Sequence, residues 1–184
     1  MAESIVMQIT VERSPAGQVE ADALIVPVFE GRRDARFGAA DLFDSGEVAG
    51  KSLELTLLHH APGVRATRVL LAGCGKPEKF DAAEMRRLSG AAVRFLKAKS
   101  IKTVAFALDP EFGGDGFVSA VIEGAILGDF EPDRYKTSDD KKAIVGFTLA
   151  TETPGLDSAA ERGHASSNQT SLVAPERLSD RGCR

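Results

Sequence analysis

The chain has 184 residues, of which 43% are apolar and 27% are charged, and its formal net charge is −4. This length allows one domain with a substantial core, and the composition is that of an ordinary globular protein. No apolar run is long enough to cross a bilayer, and the net negative charge argues against nucleic acid as a partner. The first residues lack a basic region followed by an apolar stretch, so we expect no secretory signal and a cytoplasmic location.

The first half of the chain predicts four strands. Residues 4–12 alternate apolar and polar side chains, as a half-buried strand does. Residues 21–29 are continuously apolar, which is typical of a central strand, and Pro27 is expected at its end because proline cannot donate to a ladder. A polar segment with at most a short helix follows. Residues 52–60 and 68–76 are then two further strands.

The second half predicts two helices and two strands. Asp81 and Glu84 form the D-x-x-E pattern of a helix start, and the basic run 97–102 is typical of a helix end. Strands are predicted at residues 103–109 and 142–151. The apolar residues that mark the two helical faces are Met85, Leu88, Ala92, Phe95 and Leu96 in the first helix, and Phe117, Val118, Val121, Ile122, Ala125 and Ile126 in the second.

Alternating buried strands and helices predict an α/β fold, a three-layer α/β/α sandwich around a mixed, mostly parallel sheet. We expect residues 1–153 to form this domain. After Thr153 the apolar periodicity is lost. Residues 154–184 are therefore expected to begin a linker helix and to continue as a divergent, poorly ordered tail.

Residue chemistry alone indicates no catalytic, cofactor-binding or metal-binding residue. The glycine pair before Lys76 resembles part of a phosphate-binding loop, but Pro77 stands where that motif needs Ser or Thr, so a strand-to-helix turn is the simpler interpretation. Ser45 lacks the strand–turn–helix setting of a nucleophile. Three further residue sets lack the spacing of a zinc site: the pair His59 and His60, the single His164, and the cysteines Cys74 and Cys183.

Several segments, in order, resemble the N-terminal domain of the leucyl, or cytosol, aminopeptidases. The family's loop of the form G-x-x-x-G-K-x-x-E is matched by Gly46, Gly50, Lys51 and Glu54, and its strand ending in Gly-Lys is matched by residues 68–76. The resemblance covers residues 4–150 and implies a macro-domain-like fold. The positions that match the end of the family's second helix and the loop after it are Glu123, Gly124, Phe130, Tyr135 and Lys136.

The resemblance implies a non-catalytic domain. Family members hold two divalent ions, zinc or manganese, in a C-terminal domain, where the ions activate a water molecule. The string FDSG imitates part of that metal site, but Glu47 stands where the site has a second Gly, so Asp44 is interpreted as an imitation of a ligand. No metal or cofactor is therefore expected in this chain. The expected partners are further copies of the chain or the catalytic domain, with no membrane and no nucleic acid.

Two alternatives follow from the same resemblance. The first alternative is a stand-alone macro-type module that binds ADP-ribose or a related nucleotide. It is suggested by Asp22, which occupies a place similar to the adenine-reading Asp of macro domains. Against it, Pro27 or Val28 stands where those domains have an Asn. An active aminopeptidase is the other, and it requires a metal site that the sequence does not contain.

The tail departs from the family. Asn168, Leu172 and Pro175 follow the order of the family's linker, but the Arg-Asp pair of that linker is missing. A truncated gene, a change of reading frame and foreign sequence all fit this departure. Tyr135, which lies before the last strand, is the only tyrosine of the chain, and we expect its ring to pack against the core.

Overall fold

The computed structural model describes residues 7–130 and 143–152. Tyr135, Lys136 and the tail 154–184 lie outside these ranges. None of the helices in the described ranges is long and apolar enough to cross a membrane. The strands are β1 (Gln8–Glu12), β2 (Ala23–Val28), β3 (Leu55–His59), β4 (Arg68–Gly73), β5 (Thr103–Leu108) and β6 (Gly146–Thr151), and the helices are α1 (Ala40–Ser45), α2 (Ala82–Ala98) and α3 (Asp115–Asp129).

The strands form one mixed sheet in the order β1-β6-β5-β2-β4-β3. All neighbouring pairs are parallel except β3 and β4, so the antiparallel strand lies at an edge. The crossover from β4 to β5 contains α2, and the crossover from β5 to β6 contains α3. The predicted α/β class and the mixed, mostly parallel sheet are confirmed.

Pro27 lies one residue before the end of β2 and pairs with Ala72 of β4. On the other side, β5 pairs with β2 only from Ala23 to Ile25. On the side of β5, the prediction that the strand ends by Pro27 is therefore correct. On the side of β4, β2 continues one residue beyond Pro27. Proline is tolerated here because the β5 ladder has already ended.

The two faces of the sheet carry separate apolar clusters, since successive side chains of a strand point to opposite sides. Ile25 and Phe106, both fully buried, belong to the cluster that α2 and α3 cover. Leu24 lies in the opposite cluster, where Leu42 and Phe43 of α1 pack. The three layers are therefore unequal, with two long helices on one face and a six-residue helix plus loops on the other.

Helices α2 and α3 approach each other through small residues. A Cβ built on Gly124 would overlap the Arg86 carbonyl oxygen, and one built on Gly128 would lie 2.5 Å from the Gly90 oxygen. Ser89 Oγ also donates a 2.7 Å hydrogen bond to the Val121 carbonyl oxygen across the contact. The apolar periodicity placed both helices correctly, and these small residues set the distance between them.

Asp81 caps α2 as predicted, because its Oδ1 accepts a 2.9 Å hydrogen bond from the Glu84 amide. The side chain of Glu84 does not complete the reciprocal box. Its Oε1 lies 2.5 Å from Arg87 Nη1 instead. At the N-terminus of α2, only the half of the predicted capping box that Asp81 provides is therefore formed.

Candidate functional site at the carboxyl edge of the sheet

The parallel strands β2, β4 and β5 end side by side, and we call the loops that follow them the carboxyl edge. After β2 the chain passes to the face covered by α1, whereas after β4 and β5 it passes to the face covered by α2 and α3. Such a divergence between neighbouring strands is a topological switch point, the usual place for ligands in open α/β sheets. Strand β2 therefore has a switch point on each side.

The switch point between β2 and β5 is filled by Arg36. Its Nη1 lies 2.6 Å from Asp109 Oδ1 and its Nη2 lies 2.7 Å from Asp34 Oδ2. Nη2 also donates to the Pro27 carbonyl oxygen at 3.4 Å, where the β5 ladder has ended. Burial lowers the pKa of Arg36, but the hydrogen bonds to Asp34 and Asp109 outweigh it and hold that pKa above its ordinary value. The guanidinium is therefore permanently charged, and its two carboxylate partners neutralise it. We call Arg36 with these partners the plug of this switch point.

The switch point between β2 and β4 remains open. A cleft of about 380 Å³ lies there, and we call it the edge cleft. Its floor is the turn after β4, where Gly75 adopts the left-handed φ of 76° that favours glycine. The predicted interpretation of this segment as a turn that requires glycine is confirmed. The residues that line the edge cleft are Glu30, Ser52, Cys74, Gly75, Lys76, Lys79, Glu84 and Arg87.

Cys74 contributes an unreactive thiol to this cleft. Burial raises its pKa to about 12. A nucleophilic cysteine needs a lowered pKa, because the thiolate is the reactive form. The thiol is therefore protonated at neutral pH, and the edge cleft offers binding contacts but no cysteine nucleophile.

The loop that resembles the family motif packs against the carboxyl edge. Glu54 Oε2 accepts hydrogen bonds from the amides of Ala49 at 3.0 Å and Lys51 at 3.1 Å. Gly50 has a φ of 71°, and a Cβ there would lie 2.6 Å from the Phe29 backbone. These family-like residues fix the course of the loop.

The motif residues at the end of the second helix also serve the fold. Glu123 Oε2 accepts a 2.6 Å hydrogen bond from Arg86 Nε, which ties α3 to α2. Gly124 allows the close helix approach described above. Phe130, in contrast, is 64% exposed at the end of α3. Among the described positions that match the family pattern, those in the loop and the helix pair maintain the fold, whereas Gly75 and Lys76, at the end of the matched strand 68–76, line the edge cleft.

Asp44 lies in α1 with both carboxylate oxygens 2.6 Å from Arg33, at Nε and Nη2. The hydrogen bonds from Arg33 hold the pKa of Asp44 below its ordinary value. In residues 7–130 and 143–152 no group of three or more His, Cys, Asp or Glu side chains could hold a metal ion. Asp44 is therefore the ion-pair partner of Arg33.

Asp22 lies at the opposite, amino edge of the sheet. Its Oδ2 accepts hydrogen bonds from the amides of Lys102 at 3.1 Å and Thr103 at 2.9 Å, at the start of β5. Burial raises the pKa of Asp22, but these hydrogen bonds outweigh burial and leave the pKa lowered. The whole of β2 separates Asp22 from the edge cleft, so this residue cannot read a nucleotide bound at the carboxyl edge.

Arg36, Asp109 and Lys79 carry no sequence motif that predicts a functional site. Arg36 and Asp109 are 73 positions apart, so only the folded sheet brings them together. The segment GRRDARFG offers a partial signal, since it contains three arginines close to Asp34. His59 and His60, which were considered as metal ligands, are both exposed at the end of β3.

The fold and its carboxyl edge define an open α/β domain whose sequence motifs maintain its structure. A family model for the N-terminal domain of the cytosol aminopeptidase family matches residues 25–139. The chain therefore belongs to the cytosol aminopeptidase family and represents its N-terminal domain. The resemblance stated from the sequence is confirmed.

Curated relatives support the same assignment. A probable cytosol aminopeptidase from Solibacter usitatus is 73% identical over 157 residues, which are 85% of this chain and 33% of that protein. A second, from Koribacter versatilis, is 31% identical over 192 residues, covering 86% of this chain and 37% of the relative. The chain thus spans about a third of the length of the curated relatives it matches.

Solved structures of low identity share the fold. A tomato leucine aminopeptidase mutant superposes with a TM-score of 0.72 at 19% identity, covering 94% of this chain and 38% of that one. The bottromycin maturation enzyme BotP gives a TM-score of 0.64 at 24% identity, covering 83% and 31%. At these identities the likeness concerns the fold alone.

Proposed function

We propose that this chain is the non-catalytic domain of a metal-dependent leucyl aminopeptidase and that it acts by assembly. Its partners are then the catalytic domain and further copies of the chain. The observation that carries the proposal is the match to the N-terminal-domain model over residues 25–139, in a chain that spans a third of its relatives. The relatives' name refers to the cytosol, and we propose the same location here.

The contacts of the motif residues support a structural role. Glu54 organises a loop, and Arg86 and Glu123 join two helices. A catalytic centre for peptide hydrolysis requires several carboxylates that converge on two ions about 3.5–4 Å apart. The carboxylate of Asp44 is bound by Arg33 instead. Zinc or manganese would accordingly be held by the catalytic domain.

The absence of catalysis can be tested directly. The purified chain, incubated with a chromogenic leucyl substrate and zinc, manganese or magnesium, is expected to release no leucine above background. Asp44→Ala is the matched variant, because Asp44 is the residue that imitates a family ligand. Metal-dependent release of leucine that Asp44→Ala abolishes would contradict the proposal.

Assembly requires a second experiment. The remaining two thirds of the Solibacter relative can be produced separately and mixed with this chain, since 73% identity should preserve the contact surface. We expect a stable complex by light scattering coupled to size exclusion. The relative's own N-terminal third serves as the positive control. If that control binds the catalytic part and this chain does not, the assembly role is wrong.

A further inference from the structure

We propose that the edge cleft binds a small oxyanion-bearing molecule, through a phosphate or carboxylate group held by Lys76 and Lys79. This inference is independent of the assembly role proposed above. It begins from the two switch points that flank β2. Arg36 and its two carboxylates occupy the one beside β5, whereas the one beside β4 holds an open cleft of about 380 Å³. Ligands of open α/β sheets bind at such positions.

Backbone hydrogen bonds hold the floor of the cleft in place. The Glu30 amide donates to the Gly75 carbonyl oxygen at 3.0 Å, which joins the loops that follow β2 and β4. The Gly75 amide donates to the Gly50 oxygen at 2.8 Å, and the Leu53 amide donates to the Gly73 oxygen at 2.8 Å. Three separate segments are thus tied together before any ligand arrives. A preformed site loses less conformational entropy on binding.

The charges around this floor favour an anion. Within the described parts of the chain, neither the Lys76 nor the Lys79 ammonium group makes an ion pair or hydrogen bond. The third cation, Arg87, is paired with Glu84 at 2.5 Å. Glu30 provides one carboxylate without an ion pair in the same described ranges. Among the lining residues, two free ammonium groups therefore accompany one free carboxylate, and this excess positive charge is available to a ligand.

The size and chemistry of the cleft restrict the ligand further. A volume of about 380 Å³ lies at the lower end of the range for small-molecule sites. The Cys74 thiol on its wall is protonated, because burial raises its pKa to about 12. The cleft therefore suits a small molecule and offers it no cysteine nucleophile.

Titration of the isotope-labelled full chain with inorganic phosphate, at constant ionic strength in chloride, tests the proposal. Saturable shifts of amide resonances are expected for Gly75, Lys76 and Lys79. Lys76→Ala/Lys79→Ala should raise the Kd at least about tenfold, equivalent to about 1.4 kcal/mol of binding free energy. Glu30→Gln should tighten binding, since it removes a repelling charge. A parallel titration with acetate shows whether a carboxylate is accepted as well as a phosphate.

The matched control is Lys99→Ala/Lys102→Ala, which removes the same charge from the opposite end of the domain. This variant should bind phosphate as the unchanged chain does. Linear shifts spread over all basic residues, or equal loss of binding in both double variants, would mean an adventitious ion only and would overturn the proposal. Thermal unfolding of each variant without phosphate verifies that the fold is intact.

Discussion

Lys97 Nζ of α2 lies 3.1 Å from Asp129 Oδ1 at the end of α3, and the two side chains are only 8% and 16% exposed. The same ammonium group donates to the main-chain carbonyl of Asp129. Asp129 Oδ1 also accepts a 3.2 Å hydrogen bond from the Ile144 amide, just before β6. A cation at a helix C-terminus is favourable. Lys97, in the basic run at the end of α2, therefore stabilises the C-terminus of α3 as well as the C-terminus of its own helix.

Removal of one partner from this pair should be strongly destabilising. Lys97→Met would leave the Asp129 carboxylate largely buried without its cation, and the expected loss in free energy of unfolding is about 3–5 kcal/mol. Denaturant unfolding followed by circular dichroism measures it. Lys102→Met, at an exposed lysine, should change stability by less than about 0.5 kcal/mol. Equal effects of the two substitutions would show that the ion pair contributes nothing.

The contact between α2 and α3 depends on the missing side chain of Gly124. Gly124→Ala should cost about 1–3 kcal/mol or more, because its Cβ would overlap the Arg86 carbonyl oxygen and force the helices apart. Gly116→Ala, in the same helix with no atom within 4 Å of a built Cβ, should be neutral or stabilising by up to about 1 kcal/mol. Thermal unfolding of both variants compares them. A Gly124 variant as stable as the Gly116 variant would disprove the close packing.

The sequence was sufficient for the elements and the fold class, because apolar periodicity is a local property. Alternation predicted β1, and the three- and four-residue spacing of Leu88, Ala92 and Phe95 predicted α2. The capping of α2 by Asp81 was also predicted from the sequence. These features require no knowledge of which elements are neighbours in space.

The carboxyl edge could not be predicted in the same way. The plug formed by Arg36 and Asp109 joins residues from two distant loops, and it exists only because β2 and β5 are neighbours in the sheet. Likewise, the segment before Lys76 was interpreted as a turn, which is correct, but its place beside an open cleft follows from the strand order. Local patterns do not encode strand order, whereas ligand sites depend on it.

Glu54 should control the order of the family-like loop. Glu54→Ala would leave the amides of Ala49 and Lys51 without their acceptor, at an expected cost of about 1–3 kcal/mol. Hydrogen exchange of these two amides should become faster. Glu54→Gln retains a carbonyl acceptor and should restore part of the protection. Unchanged exchange in Glu54→Ala would show that the carboxylate does not hold the loop.

Asp22 should make the stability of the domain depend on pH in the acidic range. The folded pKa of Asp22 lies below its ordinary value of 3.8, because the Thr103 and Lys102 hydrogen bonds outweigh burial. A carboxylate with a lowered folded pKa contributes stability above its unfolded pKa, and that contribution is lost as the pH falls through the folded value. Asp22→Ala should therefore cost about 1 kcal/mol at pH 7, and the difference from the unchanged chain should shrink below pH 3.8.

Denaturant unfolding of both chains across this pH range measures the difference. Glu20→Ala is the matched control, because Glu20 lies two positions away and makes only a 3.9 Å contact with Arg65 at the exposed surface. Exposed pairs of this kind contribute about 0–1 kcal/mol, so the control should change little at any pH. A cost for Asp22→Ala that stays constant down to the lowest pH would mean that the carboxylate charge plays no part in holding the start of β5.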